Sequence, residues 1–412
     1  MMKKAIGVVL CIFLVFLMGC NAAYTPAAAV VPSPSPAPTP PPSLTAIRTA
    51  PPVSTPAPRP APTRVTVMAA GDLLCLYAQL CAARKGGSYQ FNYCFDRIRA
   101  RVSSADLAIA NFETLVVPGK SLTKALPKPP SPAPSGGADE GTQPFKHGNT
   151  RMNAPESYLS AVANCGFDVL TNANNHVADQ KAAGIVSTLG LLDKYGIRHT
   201  GAYASKQDKK PLIVDVKGIQ IAVLAYTSLM NNGLGKKNAF MVDRYKGSLV
   251  AANIAAAKAA GVDFVIVYMH WGQEGTHRVN SSQKKMAGFI ANAGADMILG
   301  AHSHCTQPFA SIETPRGRVP VIYSMGNFLS SMGQAMNRDA VLVSMVLEKD
   351  AGKGTTSLVE LKYTPTYCAN TKAGHFIILP ADAQAVAGGS KTLAASRKRT
   401  LKVLSGKVAT PE

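Results

Sequence analysis

Ala295-Asp296-Met297-Ile298-Leu299-Gly300-Ala301-His302-Ser303-His304 carries the strongest structural signal in this chain of 412 residues. Its apolar half reads as a short buried strand, and Gly300 then releases the backbone before two imidazoles separated by one residue. Just past a strand's carboxyl end, both rings would project into the crevice where open α/β sheets bind their ligands. Neutral imidazole is a common protein ligand for zinc, iron or manganese. Taken alone, the pair reads equally well as two solvent-facing loop histidines, because H-x-H is a short motif. Its surroundings have to decide.

Upstream, Asp263-Phe264-Val265-Ile266-Val267-Tyr268-Met269 is a second buried strand, ending at His270-Trp271-Gly272-Gln273-Glu274, and Asn280 caps a helix to residue 293 that joins the two. Residues 167–171 form a strand that delivers Asn172-Ala173-Asn174-Asn175-His176-Val177-Ala178-Asp179, and a helix over 184–195 returns. Residues 219–226 read as strand and 249–260 as an alanine-rich helix. The folded region opens with Arg64-Val65-Thr66-Val67-Met68-Ala69-Ala70, which ends in Gly71-Asp72, and Leu107-Ala108-Ile109-Ala110 ends in Asn111-Phe112-Glu113. Between these strands, residues 91–103 alternate apolar and basic side chains at helical spacing, and Asn153-Ala154-Pro155-Glu156 caps and starts a helix to about residue 164. Strands at 319–323, 340–348 and 357–363 and a helical tail over 381–404 complete the pattern. Alternating strands and helices predict an α/β protein. Asp72, Glu113, Asn175 with His176, His270, and His302 with His304 each follow an apolar strand closely, so parallel strands would gather them at a single crevice on one sheet edge.

Composition bounds the rest. With 47% hydrophobic residues the chain can build a proper core, and its formal net charge of +20 favours an anionic partner. Only Arg397-Lys398-Arg399 forms a basic run, and it reads as a solvated helix face, so nucleic acid is not expected as a partner. Lys3 and Lys4 precede an apolar run over residues 6–18 that suits a signal-peptide core and is too short for an ordinary spanning helix. It ends in Leu17-Met18-Gly19-Cys20, which resembles the bacterial lipobox. That resemblance implies a signal peptide over residues 1–19, acylation of Cys20, and an extracytoplasmic protein lipid-anchored to the outer face of the bacterial cytoplasmic membrane. Residues 26–62 hold fourteen of the chain's 29 prolines, so residues 20–63 read as an extended linker. At ~3.1 Å per residue it could hold the folded region, residues 64–405, up to roughly 100 Å from the membrane. Residues 118–143 lack periodicity and read as a flexible inserted loop, and 406–412 as a tail. Cys75, Cys81, Cys94, Cys165, Cys305 and Cys368 can oxidise in an exported domain, with a local bridge open to the first three, while Cys305 reads as a buried thiol beside His304.

Each polar position has a plain structural reading by itself: Asp72 as a helix cap, Glu113 as a surface carboxylate, Asn175 with His176 as a turn, His270 as a core histidine. Together they match what two metals about 3.5–4 Å apart require, a bridging carboxylate with imidazole, amide and carboxylate groups around it. The chemistry indicated is hydrolysis of a phosphate ester or another metal-polarised electrophile, with a non-ligand histidine protonating the leaving group. An O/N donor set admits manganese, iron or zinc.

In this order and spacing, Gly71-Asp72, Asn111-Phe112-Glu113, Asn174-Asn175-His176 with Asp179, His270-Trp271-Gly272-Gln273-Glu274, Gly300-Ala301-His302-Ser303-His304 and Ser324-Met325-Gly326-Asn327-Phe328 resemble the CapA family of poly-gamma-glutamate capsule biosynthesis proteins, within the calcineurin-like metallophosphatase superfamily. The resemblance implies a layered β-sandwich flanked by helices. It also implies that Asp72 and His304 bind one divalent metal, that Glu113 bridges, that Asn175, His270 and His302 bind a second, and that His176 is the proton donor. Asn111, Glu274 and Asn327 would support the site or touch substrate. It further implies a role in making, exporting or attaching poly-gamma-glutamate or a related anionic polymer, in a membrane capsule-synthesis complex. A general extracytoplasmic metallophosphoesterase and a non-catalytic scaffold of such a complex are the alternatives. Two departures stand out: Asp72-Leu73-Leu74 replaces the superfamily's Asp-x-His, and Gly275 replaces the family's tyrosine; His277 reads first as a surface histidine and second as a partial substitute for that ring. His147, His199 and His375 have no motif support and read as structural.

Overall fold

A computed structural model describes residues 61–124, 151–404 and 408–412. The signal segment, Cys20, the linker up to residue 60, residues 125–143 of the inserted loop, His147 and the first residues of the tail lie outside the described residues. Among the described residues no helix is long and apolar enough to cross a membrane.

Two mixed sheets face each other. The larger runs Phe376–Pro380, Thr356–Asn370, Asp339–Lys349, Thr63–Leu73, Leu107–Phe112, Val169–Thr171, Arg198–Thr200, and its last four strands are mutually parallel. The smaller runs Thr306–Thr314, Gly317–Met325, Met297–Ala301, Phe264–His270, Ile219–Thr227, Leu212–Val216, with four parallel strands at its centre and antiparallel strands at both edges.

Period-two alternation along the strands assigns the layers. Phe264, Ile266 and Tyr268 pack between the sheets with Val65, Val67, Ala69, Leu107 and Ile109. Val265, Val267 and Met269 turn the other way, onto Val250 and Ile254 of the helix Gly247–Ala259 and Ile290 of Ser281–Ala293. The outer face of the larger sheet meets Tyr158 and Leu159 of Glu156–Cys165 and Ile185 and Leu189 of Lys181–Lys194. The central strands are therefore covered on both faces, which is why they read as unbroken apolar runs. Each such side chain contributes roughly 1.5–3 kcal/mol on full burial. The layered sandwich flanked by helices is the architecture expected from the resemblance.

Several local expectations change. Residues 91–103 do not form one helix but a 3-10 turn, Asn92–Phe95, and a single α turn, Arg99–Val102. The apolar stripe Phe91, Cys94, Phe95, Ile98 and Val102 is buried as its spacing requires, yet the bonds Cys94 N–H to Phe91 O (2.9 Å) and Ile98 N–H to Phe95 O (3.0 Å) serve that stripe with i+3 geometry. Asn153 does not cap the next helix, where Pro155 stands at the N-cap. Its amide instead accepts from Val117 N–H (2.8 Å) and donates to the carbonyls of Val117, Lys120 and Ser121, closing the base of the inserted loop. The tail is two helices, Ala383–Ala387 and Lys391–Val403, with Ser390 capping the second. The strands Arg198–Thr200, Leu212–Val216, Thr306–Thr314 and Phe376–Pro380 and the helix Tyr77–Ala83 were not anticipated. No local disulfide forms: the six described cysteines are free thiols, with Cys81 exposed and Cys75 and Cys94 in the core.

Candidate metal centre

The carboxyl ends of both sets of parallel strands open at one place. Instead of one sheet edge, the site is a seam between two: Asp72, Asn111, Glu113 and Asn175 come from the larger sheet and its loops, His270, His302 and His304 from the smaller. Tyr268 Oη donates to Ala70 O (2.8 Å) across the interface and ties the sheets just beneath it. Two glycines allow the close approach. A Cβ on Gly71 would lie 1.9 Å from Gly326 O, and one on Gly300 would lie 2.0 Å from Tyr323 O, so any side chain at either position would push these strands apart.

Asp72 accepts from Asn111 Nδ2 (2.7 Å) and from the backbone N–H of His302 (3.2 Å). Asn111 Nδ2 also lies 3.3 Å from His270 Nδ1, so this amide positions one residue from each sheet. Asn175 Oδ1 lies 2.9 Å from His270 Nε2. His304 Nδ1 meets Asn327 Oδ1 at 2.9 Å, and Asn327 Nδ2 is anchored on Asn337 O (3.0 Å), which gives Asn327 a positioning role. His302 and His304 adopt φ of +90° and +56°, uncommon for residues with a Cβ. That strain of order 1–3 kcal/mol is the kind concentrated at functional sites.

Glu113 is wholly buried, and neither carboxylate oxygen has a hydrogen-bond partner among the described residues. It faces His270 Nε2 at 3.6 Å and His304 Nε2 at 3.8 Å. Burial first, and the Asp72 carboxylate second, hold Glu113 well above the usual carboxylate range, while His304 pulls the other way. Burial, reinforced by the neighbouring imidazoles, pushes His270 and His302 well below the ordinary histidine value, so both are neutral, the form that binds metal. For His304, burial alone would lower the pKa, but Glu113 and Asp72 outweigh it and raise it to about 10. Three groups bring their ligand atoms within 4.8 Å of one another: Asp72, Glu113, His304; Glu113, His270, His302; and Glu274, His302, His304. A buried carboxyl group pushed towards its protonated form by burial and a second carboxylate, with imidazoles around it, is what a cation would relieve, so these residues fit divalent metal.

His176 directly follows Asn175, whose Oδ1 contacts His270, and its side chain is largely buried. Its Nδ1 meets Asp179 Oδ2 at 2.7 Å, and Asp179 also accepts from Met152 N–H (2.8 Å) and Asn232 Nδ2 (2.8 Å). Asn231 binds Asn175 through backbone N–H to O (2.9 Å) and the two side-chain amides (3.4 Å). Sequence reasoning missed Asn231 and Asn232, although they follow the strand Ile219–Thr227 at the same offset as Asn175 and His176 follow Val169–Thr171. His277 is tied to Thr306 O (2.6 Å), His199 pairs with Asp193, and His375 stacks on Tyr93; none joins the cluster.

Residues 66–332 match the family profile described as bacterial capsule synthesis protein PGA_cap, and the chain belongs to that family. It is similar to the PGA biosynthesis protein CapA of Bacillus subtilis (strain 168), 35% identical over 195 residues that cover 47% of this chain and 50% of that one. It is also similar to the capsule biosynthesis protein CapA of Bacillus anthracis, 30% identical over 223 residues, 52% of each. The chain thus spans about half the length of the curated relatives it matches. Among solved structures, the calcineurin-like phosphoesterase YfkN from Bacillus subtilis aligns over 83% of this chain and 99% of that one at 11% identity and a TM-score of 0.41, too distant a likeness to carry weight.

Proposed function

We propose that this protein is a lipid-anchored, extracytoplasmic hydrolase with a dinuclear site for divalent metal, acting in the synthesis, export or attachment of an anionic surface polymer such as poly-gamma-glutamate. The observation that carries the reading is Glu113, a fully buried carboxylate without a hydrogen-bond partner, shared by a group containing Asp72 and His304 and another containing His270 and His302. Asn175 would complete the second group through Oδ1, which already lies beside His270 Nε2. Metal bound there would supply Lewis acidity, neutralising charge on a phosphoryl oxygen and acidifying a water. The chain's own residues do the rest. Asp179 fixes the Nδ1 side of His176, which leaves the other ring nitrogen to give a proton to the departing oxygen. Asn111 and Asn327 keep Asp72 and His304 in place. Support for the polymer comes from family membership, from what the two CapA relatives are named for, and from the net charge of +20. Support for the anchor is the sequence Leu17-Met18-Gly19-Cys20 alone.

The test is elemental analysis combined with turnover of bis-p-nitrophenyl phosphate by the manganese-loaded protein. Turnover that is lost in His176→Ala while the metal is retained supports the hydrolase. A metal-loaded wild type that turns over no phosphodiester sinks it.

A further inference from the structure

We infer that Glu274 supplies a further protein ligand at the metal centre, beside His302 and His304, an inference that rests on the metal site proposed above. Glu274 Oε1 lies 3.9 Å from His304 Nε2, and Glu113 Oε1 lies 3.8 Å from the same nitrogen. Both separations are too long for hydrogen bonds. Ligand atoms held about 2.1 Å from one ion at tetrahedral angles stand roughly 3.4 Å apart, and further apart at wider angles. Each carboxylate therefore stands from the ring nitrogen at the spacing of groups that share a cation.

Glu274 also completes the third cluster, with His302 and His304. Glu113 has no exposed surface, whereas the Glu274 side chain is 22% exposed, so the two carboxylates approach the His304 ring from the floor and from the mouth of the site. Leu74, two residues past Asp72, packs against Leu76 and Met152 and offers no donor from that strand end. An independent sign that a cation belongs here is the pair of unpartnered oxygens on wholly buried Glu113. With Glu274 included, the centre as a whole presents three carboxylates, Asp72, Glu113 and Glu274, which weights it towards oxygen-preferring ions such as manganese.

The full chain in detergent, stripped with a chelator, is titrated with Mn2+ by calorimetry and its bound metal counted after dialysis. Glu274→Gln should weaken one class of manganese site by about 10-fold or more while leaving the other unchanged, and the spin-coupled resonance of a manganese pair should give way to that of an isolated ion. Glu274→Ala provides the same comparison should the glutamine variant fail to fold, which the circular dichroism of the metal-free protein reports. Equal manganese content and affinity in wild type and variant overturn the inference. A wild type that binds a single ion refutes the dinuclear reading alone, and the variant then still decides, by whether that one ion is weakened. A wild type that binds none refutes both.

Discussion

Replacing Glu113 with glutamine perturbs the site at its centre. The carboxylate is buried with both oxygens unpartnered, and Asp72 opposes its charge. An unsatisfied buried polar group costs about 1–3 kcal/mol, and a buried charge more. The neutral amide keeps the volume and cannot ionise, and burial already favours the neutral acid in the metal-free protein, so chelator-treated Glu113→Gln protein should match chelator-treated wild type to within about 1 kcal/mol. Manganese should separate the two. At a free concentration 100 times Kd, each bound ion adds about 2.7 kcal/mol to stability. With an unfolding entropy of ~2.1 cal/mol/K per residue and a folded unit on the order of 350 residues, one ion should raise the Tm by about 4 °C. Glu113 belongs to both groups, so wild type should gain about 7 °C from two ions and the variant little. Scanning calorimetry of both proteins, with chelator and with Mn2+ at one pH, measures all four values. A variant that gains as much from manganese as wild type does would place Glu113 outside any metal centre. A metal-free variant more than about 2 kcal/mol less stable than wild type would show that the carboxylate has a stabilising partner, against the burial argument.

Other outcomes follow from single contacts. Gly71→Ala should cost on the order of 3 kcal/mol or more by chemical denaturation, because its Cβ would stand 1.9 Å from Gly326 O and part the bond from Asp72 N–H to that oxygen; a loss under about 1 kcal/mol would refute the close approach. Asn327→Ala releases His304 Nδ1 and should weaken manganese binding by about 10- to 100-fold in calorimetry, and unchanged affinity would deny it a positioning role. Asn232→Ala loosens Asp179 and through it His176, so phosphodiester kcat should fall by about 10-fold with KM and metal content unchanged; a change confined to KM would count against that chain of contacts. In protein lacking residues 1–20, a thiol reagent should label Cys81 quickly and the other five cysteines only in denaturant, because burial shields them and pushes, for example, the Cys305 thiol up to about 12.

What the sequence made legible follows from burial on two faces. Residues 219–226 and 263–269 read as strands because helices cover one side and the opposite sheet the other, so that neither face admits polar residues. Edge strands carry no such signature: Leu212–Val216 bears exposed Asp215, and Thr306–Thr314 alternates half-buried and exposed positions towards its end. The motif residues stood out because each follows an apolar run. Their division between two sheets was not visible, since sheet membership depends on contacts far apart in the chain, such as Tyr268 on Ala70. Asn231 and Asn232 obeyed the same positional rule yet looked like ordinary turn residues.

The metal centre is also where local rules fail. Histidine rarely adopts positive φ, and a wholly buried carboxylate rarely lacks a donor, yet His302, His304 and Glu113 break these separate rules within one cluster. Backbone strain at 302 and 304 does not arise from an unpaired oxygen at 113, so the two defects are independent costs borne at the same place. A bound cation would account for both: it would partner the carboxylate, and it would stabilise the backbone conformations of two imidazoles on alternate residues.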